Sequence, residues 1–315
     1  IGEGDWLDVF TGERTLEADH KQGSLVYTDF SRGSPMKMVQ RFKTDGTVLD
    51  WTIDIETSME YPAVIGDLAF TLPWRRPSGE NPEVIFEKSF TKHHFISGNG
   101  SFIYFVKPNG EPPYLVVTVH PGTKFEYSAA GEGRAGYRAF VHSAVTGGNE
   151  TRGIWRQEHT SLKLEPAGRA ESRTSCAIRF QWAKSYDEMR EILFKEGLFD
   201  IRVVPGMTVP EDLSAQFSLH TKAKIESIAA EFPKETTVTD LGLKKPGYHL
   251  YRVEFKHLGE NLLTIHHDSG RKTYLEFFAT EPLETLIKKR SGFITGRQQH
   301  RDPSKWYNGL FSVYD

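Results

Sequence analysis

Short stretches in which apolar and polar residues alternate dominate the chain. In LDWTIDIETS, Leu49, Trp51, Ile53 and Ile55 fall on one side of an extended backbone, with polar residues between them. This alternation is typical of a β-strand with one buried face. Similar segments recur at intervals of roughly ten residues along the first part of the chain, and that spacing predicts a large antiparallel β-sandwich.

Turn residues between alternating segments predict two hairpins. FIYFV (102–106) and YLVVTV (114–119) flank a loop with an Asn-Gly pair, and LLTIHH and RKTYLEF flank Asp-Ser-Gly. The second hairpin belongs to a stretch, 211–281, whose roughly six or seven strand patterns fit a small immunoglobulin-like sandwich. In this stretch, KIESIAAEF could instead form a short helix.

Two segments show helical periodicity. SYDEMREILFKEGL begins with Ser185 as an N-cap, has Glu188 in place for a capping box and ends near Gly197, which predicts a helix near 185–197. A second apolar stripe follows Pro282 and consists of Leu283, Leu286, Ile287, Phe293 and Ile294. Because one helix of this length is marginal in water, the stripe needs a partner. That partner is either the sandwiches or a further helical domain.

Composition and motifs argue against several classes of partner and cofactor. With 39 basic and 42 acidic residues, the net charge is −3 and no long basic run occurs, so nucleic acid is not expected as a partner. No apolar stretch approaches the roughly 18 residues of a membrane helix. Cys176 is the one cysteine and lies in a strand pattern, which predicts a buried thiol. HxH and HExxH are absent, so we expect neither a metal site nor a cofactor.

Several segments resemble a microbial domain family of unknown activity that places a β super-sandwich ahead of an (α/α)6 toroid. They are AVIGDLAFTLPW, HHFISGNGSFIYFVKPNGEPPYLVVT, KEGLFDIRVVPGMTVPEDL, GENLLTIHH, TEPLETLIKKRSGFI and DPSKWYNGLFS. The same order of parts is found in glycoside hydrolases and phosphorylases. Polysaccharide lyases built from these parts usually carry the toroid first, so the order here favours a hydrolase-like enzyme.

The resemblance implies a mainly all-β chain in three parts. These are a galactose-mutarotase-like super-sandwich over 1–210 with a short helix, an immunoglobulin-like sandwich over 211–281, and a linker helix that starts a helical domain over 282–315. It also implies a carbohydrate partner, a C-terminal helical domain of the same polypeptide, and an extracellular or periplasmic location. No signal peptide is visible in the chain.

Sugar sites combine flat aromatic faces with charged or amide groups, because one face of the sugar ring is apolar and its edge carries hydroxyls. Loop segments of this kind contain the candidate substrate-binding residues. These are Trp74, Arg75 and Arg76 in LPWRRPSGENP, Trp155 in GIWRQEH and Trp306 in SKWYNG. The alternative for each of these tryptophans is a structural role, in which the loop aromatic closes an end of the sandwich. Trp51 and Trp182 lie in alternating strands and are assigned to the core.

Proton-transfer chemistry has one candidate set. His93 is the further predicted substrate-facing residue, and His93 or His94 with Glu126 would imitate the histidine–carboxylate pair of a sugar mutarotase. Adjacent histidines on a strand point to opposite faces, so they cannot bind one metal ion. Asp67 is interpreted as a residue that bonds backbone amides, and GNGSF as a tight turn, since no helix follows it.

These observations favour the N-terminal sandwich portion of a carbohydrate-active enzyme, a glycoside hydrolase that acts on a polysaccharide or oligosaccharide. Hydrolysis needs two facing carboxylates, and the pattern selects no pair among the 42 acidic residues. The catalytic residues are therefore unassigned and expected mostly beyond residue 315. The alternative is a non-catalytic carbohydrate-binding or structural sandwich.

Overall fold

A computed structural model describes residues 14–19, 21–28, 36–72, 74, 81–130, 136–149 and 157–312. The chain divides into two compact units. The first contains Ile1–Asp200, Thr221–Glu226 and Ile265–Tyr274, and the second contains Ile201–His220, Ser227–Thr264 and Leu275–Asp315. The domain boundaries at 210/211 and 281/282 stay predictions.

Most of the described chain is β-structure, and the predicted all-β class is confirmed. The early strands are β1 (Arg14–Ala18), β2 (Gln22–Thr28), β3 (Met36–Thr44), β4 (Val48–Thr57), β5 (Ala63–Ile65), β6 (Asp67–Leu72), β7 (Thr91–Phe95), β8 (Phe102–Val106), β9 (Tyr114–Val119), β10 (Tyr127–Ala130), β11 (Tyr137–Ser143), β12 (Leu162–Leu164) and β13 (Arg173–Ala183). The later strands are β14 (Asp200–Val204), β15 (Thr208–Pro210), β16 (Ser214–His220), β17 (Ile225–Ala230), β18 (Thr236–Lys245), β19 (Tyr248–Phe255), β20 (Gly259–His267) and β21 (Arg271–Thr280).

Helices are few. They are α1 (Pro82–Lys88), α2 (Thr146–Asn149), α3 (Tyr186–Lys195), α4 (Leu283–Phe293), the 3-10 turns Gly98–Gly100 and Ala170–Ser172, and the π-helical turn Ile294–Gln298. The predicted helix α3 is confirmed, with the Ser185 hydroxyl accepting a hydrogen bond from the Glu188 amide at 3.1 Å. The sequence patterns missed α1, although Asn81 caps it and Pro82 opens it.

The large sheet of the first unit has eight strands in the order β1-β2-β3-β4-β13-β9-β8-β7. A smaller sheet has the order β10-β11-β6, and β12 pairs with β5. Side chains alternate between the faces of each strand. We call the face of the large sheet that carries Ile53, Ile178 and Phe105 its inner face, because these residues are buried. The edge-to-face contact of Trp51 with Phe70 of β6, at 5.0 Å between ring centres, shows that the smaller sheet packs on this face.

The other face of the large sheet is covered in part by α3. Met189, Ile192 and Leu193 of this helix are buried, and Tyr186 lies 4.5 Å from Tyr114 of β9 between ring centres. Charged groups extend the contact. Arg179 of β13 binds Asp50 at 2.8 Å and Glu196, just after the helix, at 3.1 Å. This chain of ion pairs ties the end of α3 to the centre of the sheet.

The second unit contains most of two four-stranded sheets, with the orders β14-β16-β19-β18 and β15-β21-β20-β17. Phe217 of the first sheet lies 6.1 Å from Phe277 of the second between ring centres, and both rings are fully buried. The two sheets therefore form a sandwich. The segment KIESIAAEF contributes β17, so its strand interpretation is confirmed and the short helix is wrong.

Helix α4 forms where its periodicity predicts it, but none of its residues is buried. Leu283 and Ile287 are 63% and 56% exposed. Within the described residues the apolar stripe is thus without a covering element. In that same part of the chain, no helix combines the length and apolar character that crossing a membrane requires.

Two predictions for single core residues have different outcomes. Cys176 is buried as expected, and burial raises the pKa of its thiol to about 11. Trp182 was assigned to the core, and that prediction is wrong, since it is 51% exposed. It lies near the end of β13, opposite Leu115.

The segment GNGSF forms the predicted tight turn, a 3-10 turn with Gly98 in the left-handed region at φ +57°. Hydrogen bonds fix this turn from several sides, including Ser97 Oγ to Tyr274 O at 2.5 Å and Lys272 N to Asn99 Oδ1 at 3.0 Å. A Cβ atom at Gly98 would lie only 2.3 Å from the Lys272 carbonyl oxygen. Backbone on both sides of this contact leaves little room for relaxation.

We therefore expect Gly98→Ala to lower the free energy of unfolding by about 1–3 kcal/mol more than the cost of the left-handed conformation alone, because of overpacking. Gly110→Ala is the matched control, since Gly110 also has a positive φ but has open space around it. Urea denaturation of both variants measures the difference. Equal destabilisation of the two would show that the close approach to Lys272 is unimportant.

Candidate functional site

Of the predicted substrate-binding residues, Trp74, His93 and Trp306 lie in the described part of the chain. Arg75, Arg76 and Trp155 lie outside the described residues. Trp306 belongs to the second unit, is 88% exposed and makes an edge contact with Tyr307. Trp74 and His93 belong to the first unit. The prediction for this set as a substrate-binding site stays untested.

His93 lies on the outer face of the large sheet, at its edge strand β7. Its ring stacks on Tyr104 of β8 at 4.8 Å and 13°, and the neighbouring pair Phe95 and Phe102 lies 5.7 Å apart. These residues are direct cross-strand partners. Since one face of the His93 ring is covered by Tyr104, the arrangement has the geometry of a cross-strand pair that stabilises the sheet edge.

Trp74, by contrast, packs on the inner face. Its ring centre lies 4.8 Å from Phe105 of β8 and 5.9 Å from Phe180 of β13. Phe105 in turn lies 6.2 Å from Tyr137 of β11, in the smaller sheet. We call Trp74, Phe105, Tyr137 and Phe180 the inner aromatic strip. Phe105 and Phe180 form its buried floor, while Trp74 and Tyr137 are half-buried.

Trp182 extends this strip along β13. It follows Phe180 on the same face of the strand and is half exposed. Among the described residues no ring contact to Trp182 is found. Trp51, on the neighbouring strand β4, differs because its ring lies between Phe42 at 5.3 Å and Phe70 at 5.0 Å. Trp182 is therefore the inner-face indole best able to offer an uncovered ring face to a ligand.

Lys92 brings a positive charge to the strip. It lies on β7 opposite Phe105, and its Nζ donates a hydrogen bond of 2.5 Å to Ser128 Oγ on β10 of the smaller sheet. The same ammonium lies 4.4 Å from the centre of the Tyr137 ring, a cation–π contact. Burial lowers the pKa of Lys92 to about 8. At pH 7 the side chain is thus mostly protonated and only partly hydrated.

His94 follows two residues along the same face of β7, opposite Ile103. Partial burial, with smaller contributions from the charges of Lys92 and His93, lowers the pKa of His94 to about 4. The imidazole is therefore neutral at pH 7. It can donate or accept a hydrogen bond but adds no charge to the site.

Carboxylates are missing from the inner face of the large sheet at the described strand positions. Glu126, the carboxylate considered with His93 or His94 for proton transfer, is 1% exposed. Its oxygens accept hydrogen bonds from Thr160 N at 2.7 Å, Thr160 Oγ1 at 2.6 Å and Ser143 N at 3.1 Å. A carboxylate bound in this way has a structural role, as it joins the strand end to a neighbouring loop.

Asp67 has the role that the sequence predicted. Its carboxylate accepts hydrogen bonds from Val145 N at 2.9 Å and from Thr146 N at 3.0 Å. It therefore fixes the turn that leads into α2. The described residues also contain no group of three or more His, Cys, Asp or Glu side chains that could hold a metal ion.

A family model matches residues 11–315, nearly the whole chain. The chain belongs to the family of unknown function DUF5695. No curated protein matches the sequence. The all-β structure described above is therefore a representative of this family's fold.

One solved structure resembles the chain in fold, and a second gives a weaker match. A structure titled polysaccharide lyase BACCELL_00875 matches with a TM-score of 0.65 and 14% identity over 93% of this chain and 40% of that chain. A putative aldose 1-epimerase (b2544) from Escherichia coli K12 matches with a TM-score of 0.33 and 13% identity, over 55% of this chain and 69% of that chain. The chain spans well under half of the length of the lyase.

The lowered pKa of Lys92 makes a test of its protonation possible. In the unfolded chain the side chain titrates near its ordinary value of 10.5, whereas in the folded protein it titrates near 8. Between these values the unfolded state binds more protons, so folding becomes more favourable as the pH rises. The protonated side chain costs stability below pH 8, and this cost is lost by about pH 10.5.

We therefore expect the melting temperature of the wild type, measured relative to Lys92→Met, to increase from pH 7 to pH 10. Lys37→Met is the control, because Lys37 is exposed on the outer face of the same sheet. The difference in melting temperature between the wild type and Lys37→Met should not increase from pH 7 to pH 10. A difference between wild type and Lys92→Met that stays constant with pH would contradict the burial of this ammonium.

Proposed function

We propose that the chain is the sandwich portion of a carbohydrate-active enzyme, a glycoside hydrolase, and that the inner aromatic strip with Trp182 binds the saccharide. The observation that carries this proposal is the half-open row of rings on the inner face. The ring faces suit the apolar face of a sugar, and Lys92 and His94 lie beside them for its polar groups. The likeness in fold to a protein titled polysaccharide lyase supports a carbohydrate-related role.

In this proposal the catalytic carboxylates come from elsewhere in the polypeptide. Glycoside hydrolysis requires a pair of carboxyl groups facing the scissile bond. The described positions of the inner face provide none, and Glu126 is occupied by Thr160 and Ser143. Helix α4 supports the idea of a helical domain that would supply them, since Leu283 and Ile287 on its apolar stripe are exposed.

A non-catalytic carbohydrate-binding module is the second candidate. The same lack of carboxylates on the described inner face favours it, because binding needs aromatic faces and hydrogen bonds but no acid pair. The two candidates agree on the binding surface and differ on where the chemistry takes place. Experiments on binding and on turnover therefore test them separately.

Binding is tested first with an array of neutral and acidic oligosaccharides, followed by calorimetric titration of the best ligand. We expect Trp182→Ala to weaken binding by about tenfold or more, because a stacked ring would be lost. The protein should keep its melting temperature, since the indole is half exposed. Trp51→Phe is the matched control on the neighbouring strand, and it should bind as the wild type does. Undiminished binding by Trp182→Ala would contradict the placement of the site.

Turnover is tested with the purified chain of 315 residues. We expect it to bind saccharide without hydrolysing it, as judged by the release of reducing ends over long incubation. Trp182→Ala serves as the background control. If binding and hydrolysis take place at the same site, this variant should lose both. Hydrolysis by the wild-type chain that Trp182→Ala abolishes would overturn the assignment of the catalytic carboxylates to another part of the polypeptide.

A further inference from the structure

Lys92 is a cation in a place where strand packing alone would favour an apolar residue. Its neighbours on the inner face are Phe105 across the strand pair and Tyr137 from the smaller sheet. An ammonium placed among rings loses part of its hydration, which costs free energy unless new partners replace the water. The contacts that the Lys92 ammonium makes therefore indicate what kind of ligand it can bind.

The contacts of Lys92 leave part of its binding capacity unused. An ammonium group has three N–H donors. One donates to Ser128 Oγ, and the positive charge faces the Tyr137 ring. Within the described residues no carboxylate forms an ion pair with it. Lys124 shows the contrast, since its Nζ lies 3.4 Å from Glu126 and 3.5 Å from Glu158.

The same contacts are compatible with the charged form of Lys92. A hydroxyl oxygen accepts a hydrogen bond from the ammonium, and the face of an aromatic ring attracts a cation. His94, the next residue on the same face of β7, is neutral at pH 7 and adds no charge of its own. A partly dehydrated cation without an anion attracts one more strongly than a fully hydrated surface lysine does.

From this geometry we propose that Lys92 forms an anion subsite beside the inner aromatic strip, so that the saccharide bound there carries an acidic substituent, a carboxylate or a sulfate ester. This inference rests on the proposed carbohydrate function. The strip would contact the sugar rings, and the ammonium would pair with the anionic group.

The test uses an array that carries neutral and acidic oligosaccharides side by side. The neutral set contains β-glucan, xylan and mannan fragments, and the acidic set contains oligogalacturonate, alginate, hyaluronan and sulfated chondroitin fragments. For the best uronate ligand, the carboxyl-reduced counterpart with the same stereochemistry is also measured. We expect the wild type to prefer acidic ligands and to lose affinity by about tenfold or more on carboxyl reduction.

Variants of Lys92 test whether this residue causes the preference for acidic ligands. Lys92→Met should remove it, so that acidic and carboxyl-reduced ligands bind with similar affinity, while Lys92→Arg should keep it. Lys37→Met removes a charge from the outer face of the same sheet and should leave the preference unchanged. Melting temperatures check that each variant folds, and Lys92→Gln replaces Lys92→Met if the latter does not.

The outcomes separate the two proposals. Preference for acidic ligands that is lost in Lys92→Met and kept in Lys92→Arg supports the anion subsite, and the uronate and sulfate ligands show which anion it takes. Binding of neutral ligands alone, or a preference that Lys92→Met retains, overturns the subsite but leaves the carbohydrate function intact. Failure to bind any saccharide on the array overturns the carbohydrate function and the subsite together.

Discussion

The first unit depends on the packing of a three-stranded sheet against the inner face of an eight-stranded one. β13 is central to this contact, because it pairs with β4 on one side and β9 on the other. Ile178 on this strand is completely buried. Fully burying an aliphatic or aromatic side chain of this size contributes about 1.5–3 kcal/mol. Helix α3 packs on the opposite face of the same strand. The strand β13 therefore contacts both the smaller sheet and α3.

The unequal size of the two sheets produces the candidate binding surface. Three strands cannot cover eight, and the rings nearest the uncovered area stay partly exposed. Trp51 is enclosed by Phe42 and Phe70, whereas Trp182, near the end of the neighbouring strand, is half exposed. Lys92 marks the margin of the covered area, since it reaches from the large sheet to Ser128 of the smaller one. The result is a set of partly exposed rings with a cation beside it.

Charged groups are divided between the two faces of the large sheet. On the outer face, Asp50, Arg179 and Glu196 form linked ion pairs that anchor the end of α3. On the inner face, the described strand positions lack carboxylates, and Lys92 has aromatic and hydroxyl neighbours. A charge in an ion pair already has its partner, whereas a partly dehydrated cation without an anion is suited to a ligand. This division is the physical reason to place ligand recognition on the inner face.

The sequence by itself determined the secondary structure of most of the chain. Alternation in LDWTIDIETS and SCAIRF marks β4 and β13, and Ser185 with Gly197 marks the limits of α3, because these signals act over a few residues. It also determined the buried thiol of Cys176 and the amide-binding role of Asp67. Only the tertiary structure decided which face of β7 meets the smaller sheet, and so placed Lys92 and His94 on the inner face and His93 on the outer face. It likewise decided that Trp182 is exposed while Trp51 is covered. The alternation of apolar and polar residues predicts which side chains share a face of a strand. Which part of that face another sheet covers depends on contacts between residues far apart in the sequence.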